Sequence, residues 1–341
     1  MGGLALRHLC FRPGVAQMNT VQPFDAESVA RRASTLAGNV HQVIKGKPEV
    51  IRLALVCLLA EGHLLVEDVP GVGKTQLARA LAVSIDASSH RVQFTPDLLP
   101  SDVTGVTIFN QQTRQFVFHP GPVFANIVLA DEINRASPKT QSALLEVMEE
   151  RQVSVDGATY QVPRPFVVIA TQNPVDMDGT YPLPEAQLDR FLVRTRVGYP
   201  NHEAEMEILA GQKETSPLDR LSAVVSADEV RSMVAAIPLV YAADGVRDYL
   251  VRMVAATRSD PRLRLPVSPR GSVALLRGAR AHAVLDGRNY VTPEDVKTLA
   301  VPILAHRVIL TPETELAGTR AEDVIAQIAA DLPVPHAPVQ R

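Results

Sequence analysis

The sequence predicts an α/β domain, built as a parallel sheet flanked by helices with hairpin insertions, followed by a smaller all-helical domain. Three observations predict this. Short continuous apolar runs recur at 63–67, 127–130 and 166–170, as expected of parallel strands covered on both faces. Segments with helical periodicity lie between them. Beyond about Pro200 the strand-like runs stop, and helical segments with short polar or Pro-bearing breaks continue from Glu203 to Ala330.

Taken in order, residues 1–24 read as a flexible leader, with Met18 as an alternative start. The basic residues there are scattered and no apolar stretch is long enough for a signal peptide. Asp25 to Gln42 reads as a helix. Pro48 to Ala60 reads as a second, with Pro48 suited to a first turn. His63 to Glu67 is a short buried strand, 70–73 a tight turn, and Lys74 to Ile85 a helix. Arg91 to Gly121 reads as loop-rich, with a hairpin pairing Val106–Phe109 and Gln115–Phe118. Ile127 to Ala130 is a strand, and Ser137 to Arg151 a helix with Ser137 as N-cap and Pro138 at its first position. Val153 to Val162 is a second hairpin around Asp156-Gly157. Phe166 to Ala170 and Leu192 to Val197 complete the strands. These elements divide the chain into an α/β core at 25–200, a helical domain at 201–330 and a disordered tail at 331–341.

The chain has 341 residues, enough for about two domains at roughly 150 residues each. Its 46% hydrophobic and 21% charged residues are an ordinary globular mix, and a net charge of −3 gives no general attraction to nucleic acid or anionic lipid. Two cysteines, Cys10 and Cys57, are too few for a disulfide scaffold. Cys57 lies in an apolar run where a buried reduced thiol is expected, which fits the cytoplasm. No run approaches the roughly 18 apolar residues that span a bilayer.

The chemistry begins at Asp68-Val69-Pro70-Gly71-Val72-Gly73-Lys74-Thr75. A Gly-bearing loop at a helix N-terminus points unpaired amides at a phosphate chain. There Lys74 reaches the β- and γ-phosphates, and the Thr75 hydroxyl binds Mg²⁺. The strict phosphate-loop pattern has Gly where this chain has Asp68, a departure tolerable if that carboxylate points away from the pocket. A dinucleotide fingerprint fails, because Gln76 stands where its third Gly belongs. The alternative is a chance Gly-Lys-Thr on a surface turn, which the strand–loop–helix setting disfavours.

A second apolar strand ends in Asp131-Glu132. Asp131 suits the metal of a Mg-nucleotide, and Glu132 a water poised for in-line attack. A solvent-facing acidic pair at a strand end is the bland alternative, weakened by the phosphate loop upstream. Asn173, in Thr171-Gln172-Asn173-Pro174, follows the third strand and could hold that water, although Asn-Pro is also a common turn pair. Arg190 and Arg270 suit an arginine-finger role, but for each in isolation a surface ion pair is the better reading.

The block Asp131–Ala136, Pro138–Gln141 and Leu144–Arg151 resembles the MoxR family of AAA+ ATPases. So do Thr171–Pro174, Gly179–Phe191 and Val291–Val296. The resemblance runs from about Gly38 to Val324. It implies that Gly71, Val72, Gly73, Lys74, Thr75 and Gln76, with Pro70, form Walker A, and that Asp131 and Glu132 form Walker B. It implies that Val43, Ile44, Lys45 and Gly46 line the adenine pocket and that Asn173 is sensor 1. Arg190 becomes the finger reaching a neighbour's nucleotide, and Arg270 a sensor 2 acting in cis from the lid. It further implies ATP and Mg²⁺, a ring that is usually hexameric, a chaperone-like role, and a partner with a von Willebrand A-type domain. The two hairpins would face the ring's pore or a partner. A nucleotide-gated scaffold and a magnesium-chelatase-like motor subunit are the competing readings. A nucleic-acid motor is disfavoured by the acidic balance and the lack of a basic cluster or aromatic platform.

Overall fold

The computed structural model describes residues 25–69, 71–173, 180–210 and 217–335. The first half carries α1 (Ala26–His41), α2 (Pro48–Leu59), β1 (Leu64–Glu67), α3 (Lys74–Ser84), β2 (Ser89–Gln93) and α4 (Pro100–Thr104). There follow β3 (Gly105–Asn110), β4 (Gln115–Pro120), β5 (Ile127–Asp131), α5 (Pro138–Glu150), β6 (Gln152–Val155), β7 (Ala158–Gln161) and β8 (Val167–Gln172). Then come α6 (Glu185–Leu188), β9 (Val193–Thr195), α7 (His202–Ala210), α8 (Ala227–Ala236), α9 (Asp244–Ser259) and β10 (Leu263–Leu265). The chain ends with α10 (Pro269–Leu285), α11 (Pro293–Leu304), β11 (Ile309–Leu310), α12 (Pro312–Leu316) and α13 (Ala321–Asp331).

Five strands form one parallel sheet in the order β2-β5-β8-β1-β9. Alternate residues of its inner strands serve two cores. Leu64, Val66, Ile127, Leu129, Val167 and Ile169 face α1–α3, in a core continuous with the helical domain. Leu65, Val128, Ala130, Val168 and Ala170 face α5 on the other side. Both faces are buried, which is why these strands read as unbroken apolar runs rather than alternating ones.

The structure corrects two expectations. Within the supposedly loop-rich Arg91–Gly121 segment lie the end of β2 and the short α4. Strand β2 escapes a hydrophobicity reading because it is an edge strand, SHRVQ, whose single buried residue is Val92. The helical domain also contains a small antiparallel pair, β10 with β11, too short to show as a pattern. Both hairpins form: β3–β4 in register from Gly105↔Pro120 to Asn110↔Gln115, and β6–β7 around Asp156-Gly157, both at positive φ. Cys57 is buried, and burial pushes its thiol pKa well up. The leader at 1–24 and the tail beyond 335 lie outside the described residues, while α13 runs to Asp331, the first residue assigned to the tail. No helix among the described residues is long and apolar enough to cross a membrane.

Candidate nucleotide site

The parallel register brings the candidate residues to one edge. Asp131 ends β5, Gln172 ends β8, Glu67 ends β1 and Gln93 ends β2, all at the carboxyl side of the sheet, where open α/β sheets bind ligands. The loop after β1 turns through Gly71 and Gly73, at φ +87° and +90°, a backbone region glycine enters without steric cost. It delivers Lys74 to the first position of α3. Lys74 is buried, and its Nζ donates to the Asp68 carbonyl and, at 3.4 Å, to the Gln172 carbonyl. Pro70 lies outside the described residues.

Asp68 turns out to be a structural tie. Its Oδ1 accepts from the Val69 amide at 2.8 Å and its Oδ2 from the Gly198 amide at 2.5 Å. Both oxygens are therefore spent on backbone donors, and the carboxylate fastens the start of the loop to the segment after β9.

The acids are built around Thr171. Its hydroxyl donates to Asp131 Oδ1 at 2.6 Å and accepts from the Glu132 amide at 2.9 Å. The Thr75 hydroxyl donates to Asp131 Oδ2 at 3.1 Å, and Arg91 reaches the same oxygen at 2.8 Å. Burial alone would raise the Asp131 pKa, but the bonds from Thr171, Arg91 and Thr75 outweigh it and hold the carboxyl below its ordinary value. Asp131 is thus an anion beside a hydroxyl. That all-oxygen pair suits Mg²⁺, which takes one or two protein oxygens together with substrate phosphates.

Glu132 sits in the left-handed region at φ 55° and ψ 51°. A non-glycine residue there costs of order 1 kcal/mol or more, and such outliers cluster at functional sites. Its carboxylate accepts from Gln93 Nε2 at 3.0 Å and pairs with Arg135 at 3.2 Å. Asn173 is buried, its backbone carbonyl accepting from Asn134 Nδ2 at 3.3 Å.

A cavity of about 850 Å³ opens next to the loop. Val43, Ile44 and Lys45 line it with Gly71, Val72, Gly73 and Gln76, while α7 and Pro217–Arg220 close the far side. Gly46 is not on this lining. It packs against α7, where a Cβ would come within 2.6 Å of the Ala204 Cβ.

The two arginines lie elsewhere. Arg190 Nε is 3.0 Å from Glu149, and Arg270 pairs with the same carboxylate at 2.9 Å. Arg270, in the first turn of α10, is presented to Glu149 at the end of α5. Thr171, Arg91, Gln93 and Glu149 join these residues without a role expected from the sequence. Thr171 had a readable signal, a polar residue at the end of an apolar strand beside an acid-ended one. The others depend on which strands and helices become neighbours.

Residues 63–193 match the family model of the ATPase family associated with various cellular activities (AAA), and 255–328 match the AAA lid domain. The Bacillus subtilis protein YeaC is 51% identical over 87% of this chain and 93% of its own. The Mycobacterium tuberculosis protein named Chaperone MoxR1 is 41% identical over 92% of this chain and 86% of its own. The crystal structure of a Cytophaga hutchinsonii protein assigned as an ATPase superposes with a TM-score of 0.84 at 37% identity, over 91% of this chain and 97% of that one. Proteins of this family bind nucleotide, and the chain that carries the phosphate loop, the paired acids and the lid belongs to the MoxR family of AAA ATPases, with ATP hydrolysis as its activity.

Proposed function

We propose that the chain is a Mg-dependent, ring-forming remodelling ATPase whose active site is completed by a neighbouring subunit. The cluster at the carboxyl edge of the sheet carries this reading. Thr75 and Asp131 lie 3.1 Å apart beside the loop, and Thr171 ties Asp131 and Glu132 into one unit. The base enters the cavity against Val43, Ile44 and Lys45, and the phosphates lie along 71–75 with Lys74 opposite the β- and γ-groups. Thr75 and Asp131 would hold Mg²⁺, which would offset charge on the phosphates. Glu132 orients a water and accepts its proton as the water oxygen attacks the γ-phosphorus and ADP leaves. Asn173 holds that water.

Arg190 supplies a further cation to the next subunit's site, and the assembly we propose is a ring, hexameric as in the resembling family. The chaperone-like role rests on the likeness to a relative named as a chaperone, and a protein with a von Willebrand A-type domain is the partner we propose in the cytoplasm. The test is steady-state ATPase activity of wild type and Glu132→Gln alongside nucleotide binding by calorimetry. The expected result is retained binding with turnover lost and Mg²⁺ required. Weakened binding with normal kcat would overturn the assignment of Glu132.

A further inference from the structure

We propose that Arg307, a lid residue, positions Arg190 for the neighbouring subunit's site, so that lid placement governs hydrolysis next door. The proposal rests on the composite-site reading above. Arg307 ends the short helical turn after α11, and its side chain is 4% exposed. The guanidinium spends its donors across the segment that holds Arg190. Nε donates to Asp189 Oδ1 at 2.7 Å, one terminal nitrogen to the carbonyls of Asp189 at 3.1 Å and Phe191 at 2.7 Å, and the other to the Leu192 carbonyl at 3.3 Å and the Ile303 carbonyl. The adjacent His306 places Nε2 3.0 Å from the Phe191 carbonyl. Backbone carbonyls on both sides of Arg190 are thereby fixed by two residues of the lid, and the planar fork of arginine is suited to that geometry.

The same side chain also touches the element carrying Arg270. Arg307 Cδ lies 3.4 Å from where a Gly271 Cβ would stand, an ordinary packing distance, while Val267 Cγ1 at 2.3 Å is the neighbour that requires glycine next to Arg270. One buried guanidinium therefore braces the backbone beside Arg190, one of the two arginines that meet on Glu149, while its stem packs near the turn that carries the other. The Arg190 head itself is 27% exposed and paired with the partly exposed Glu149, while its root is held by the lid. Arg307 acts through Arg190 and touches no substrate, which makes it a positioning residue. A displacement of about 1 Å in such a group costs on the order of 10²-fold in rate.

The experiment uses full-length Arg307→Lys, which keeps charge and stem but loses the fork, and Asp189→Asn, which removes the ion pair and leaves the carbonyls. Nucleotide affinity is expected within about twofold of wild type, with kcat of the uniform assembly down by about 10–100-fold. Each variant is then mixed with Glu132→Gln subunits, with an Arg190→Ala and Glu132→Gln mixture as control. Recovery of activity in the control and in the Arg307→Lys or Asp189→Asn mixture supports the proposal, because the damaged finger is replaced by an intact one from the Glu132→Gln subunit. Recovery in the control alone overturns it, since the defect then lies inside the variant's own site. Unchanged kcat in a folded Arg307→Lys also overturns it, and Asp189→Asn is read in its place if Arg307→Lys fails to fold. A control that stays inactive removes the composite-site reading and this proposal with it.

Discussion

The guanidinium of Arg190 lies 3.0 Å from the carboxylate of Glu149, where Arg270 arrives from the lid at 2.9 Å. Arg190 is thus paired inside its own subunit, though with Glu149 rather than its neighbours Asp189 or Glu185, since Asp189 is engaged by Arg307. A half-exposed ion pair contributes only about 0–1 kcal/mol, so moving Arg190 to a neighbour's phosphate gives up little.

Glu149→Gln tests that reading. The substitution is expected to change unfolding free energy by less than about 1 kcal/mol, to leave nucleotide affinity alone, and to leave hydrolysis at least as fast as wild type. Denaturant unfolding and steady-state kinetics measure it. A loss of several kcal/mol would make the pair part of the fold.

Lys74→Ala removes the ammonium held between the Asp68 and Gln172 carbonyls. Losing charge-assisted contacts to the phosphates costs roughly 1.5–3 kcal/mol, more than tenfold in affinity. Calorimetry with ATP checks this, and undiminished binding would contradict the phosphate-loop assignment.

Thr171→Val keeps the shape and removes the hydroxyl that joins Asp131 to the Glu132 amide. Hydrogen bonds to charged groups contribute about 1.5–3 kcal/mol, so kcat is expected to fall by about tenfold or more. Thr171→Ser should restore most of it. A Val variant as active as wild type beside an impaired Ser variant would show that the methyl packing matters and the hydroxyl does not.

How much of this was legible in the sequence follows from where each signal resides. The inner strands announce themselves because both faces are buried, and Gly71, Gly73 and Lys74 because phosphate chemistry demands those residue types in adjacent positions. Strand β2 was invisible because an edge strand buries little. The partner of Asp68 is Gly198, 130 residues away, a pairing that only the folded chain makes. The same holds for Arg307 on Asp189: a buried arginine in sequence is one more basic residue until packing supplies its acceptors.

Acid should weaken the fold through His63. Its Nε2 donates to the Met148 carbonyl at 3.0 Å, its Nδ1 accepts from the Val168 amide at 3.0 Å, and burial lowers its pKa from 6.5 to about 4. The unfolded chain therefore binds the extra proton first, and stability present above pH 6.5 is lost as pH falls toward 4, by up to about 3 kcal/mol. His306, also held neutral by burial, acts in the same direction. Chemical denaturation from pH 7.5 to about 4.5 is expected to show this slope, with a shallower one in His63→Gln; an identical slope in the variant would remove His63 from the account.

The central claim, an ATP site completed by Arg190 of a neighbouring subunit, is tested most directly by specific activity against protein concentration. An in-trans arginine finger is worth on the order of 10³–10⁵ in rate, so activity per molecule should rise steeply as assemblies form and then level off. The Arg190→Ala variant should stay near the dilute wild-type value at every concentration. A wild-type rate per molecule that is constant from dilute to concentrated protein would contradict the account, leaving an ATP site that works alone.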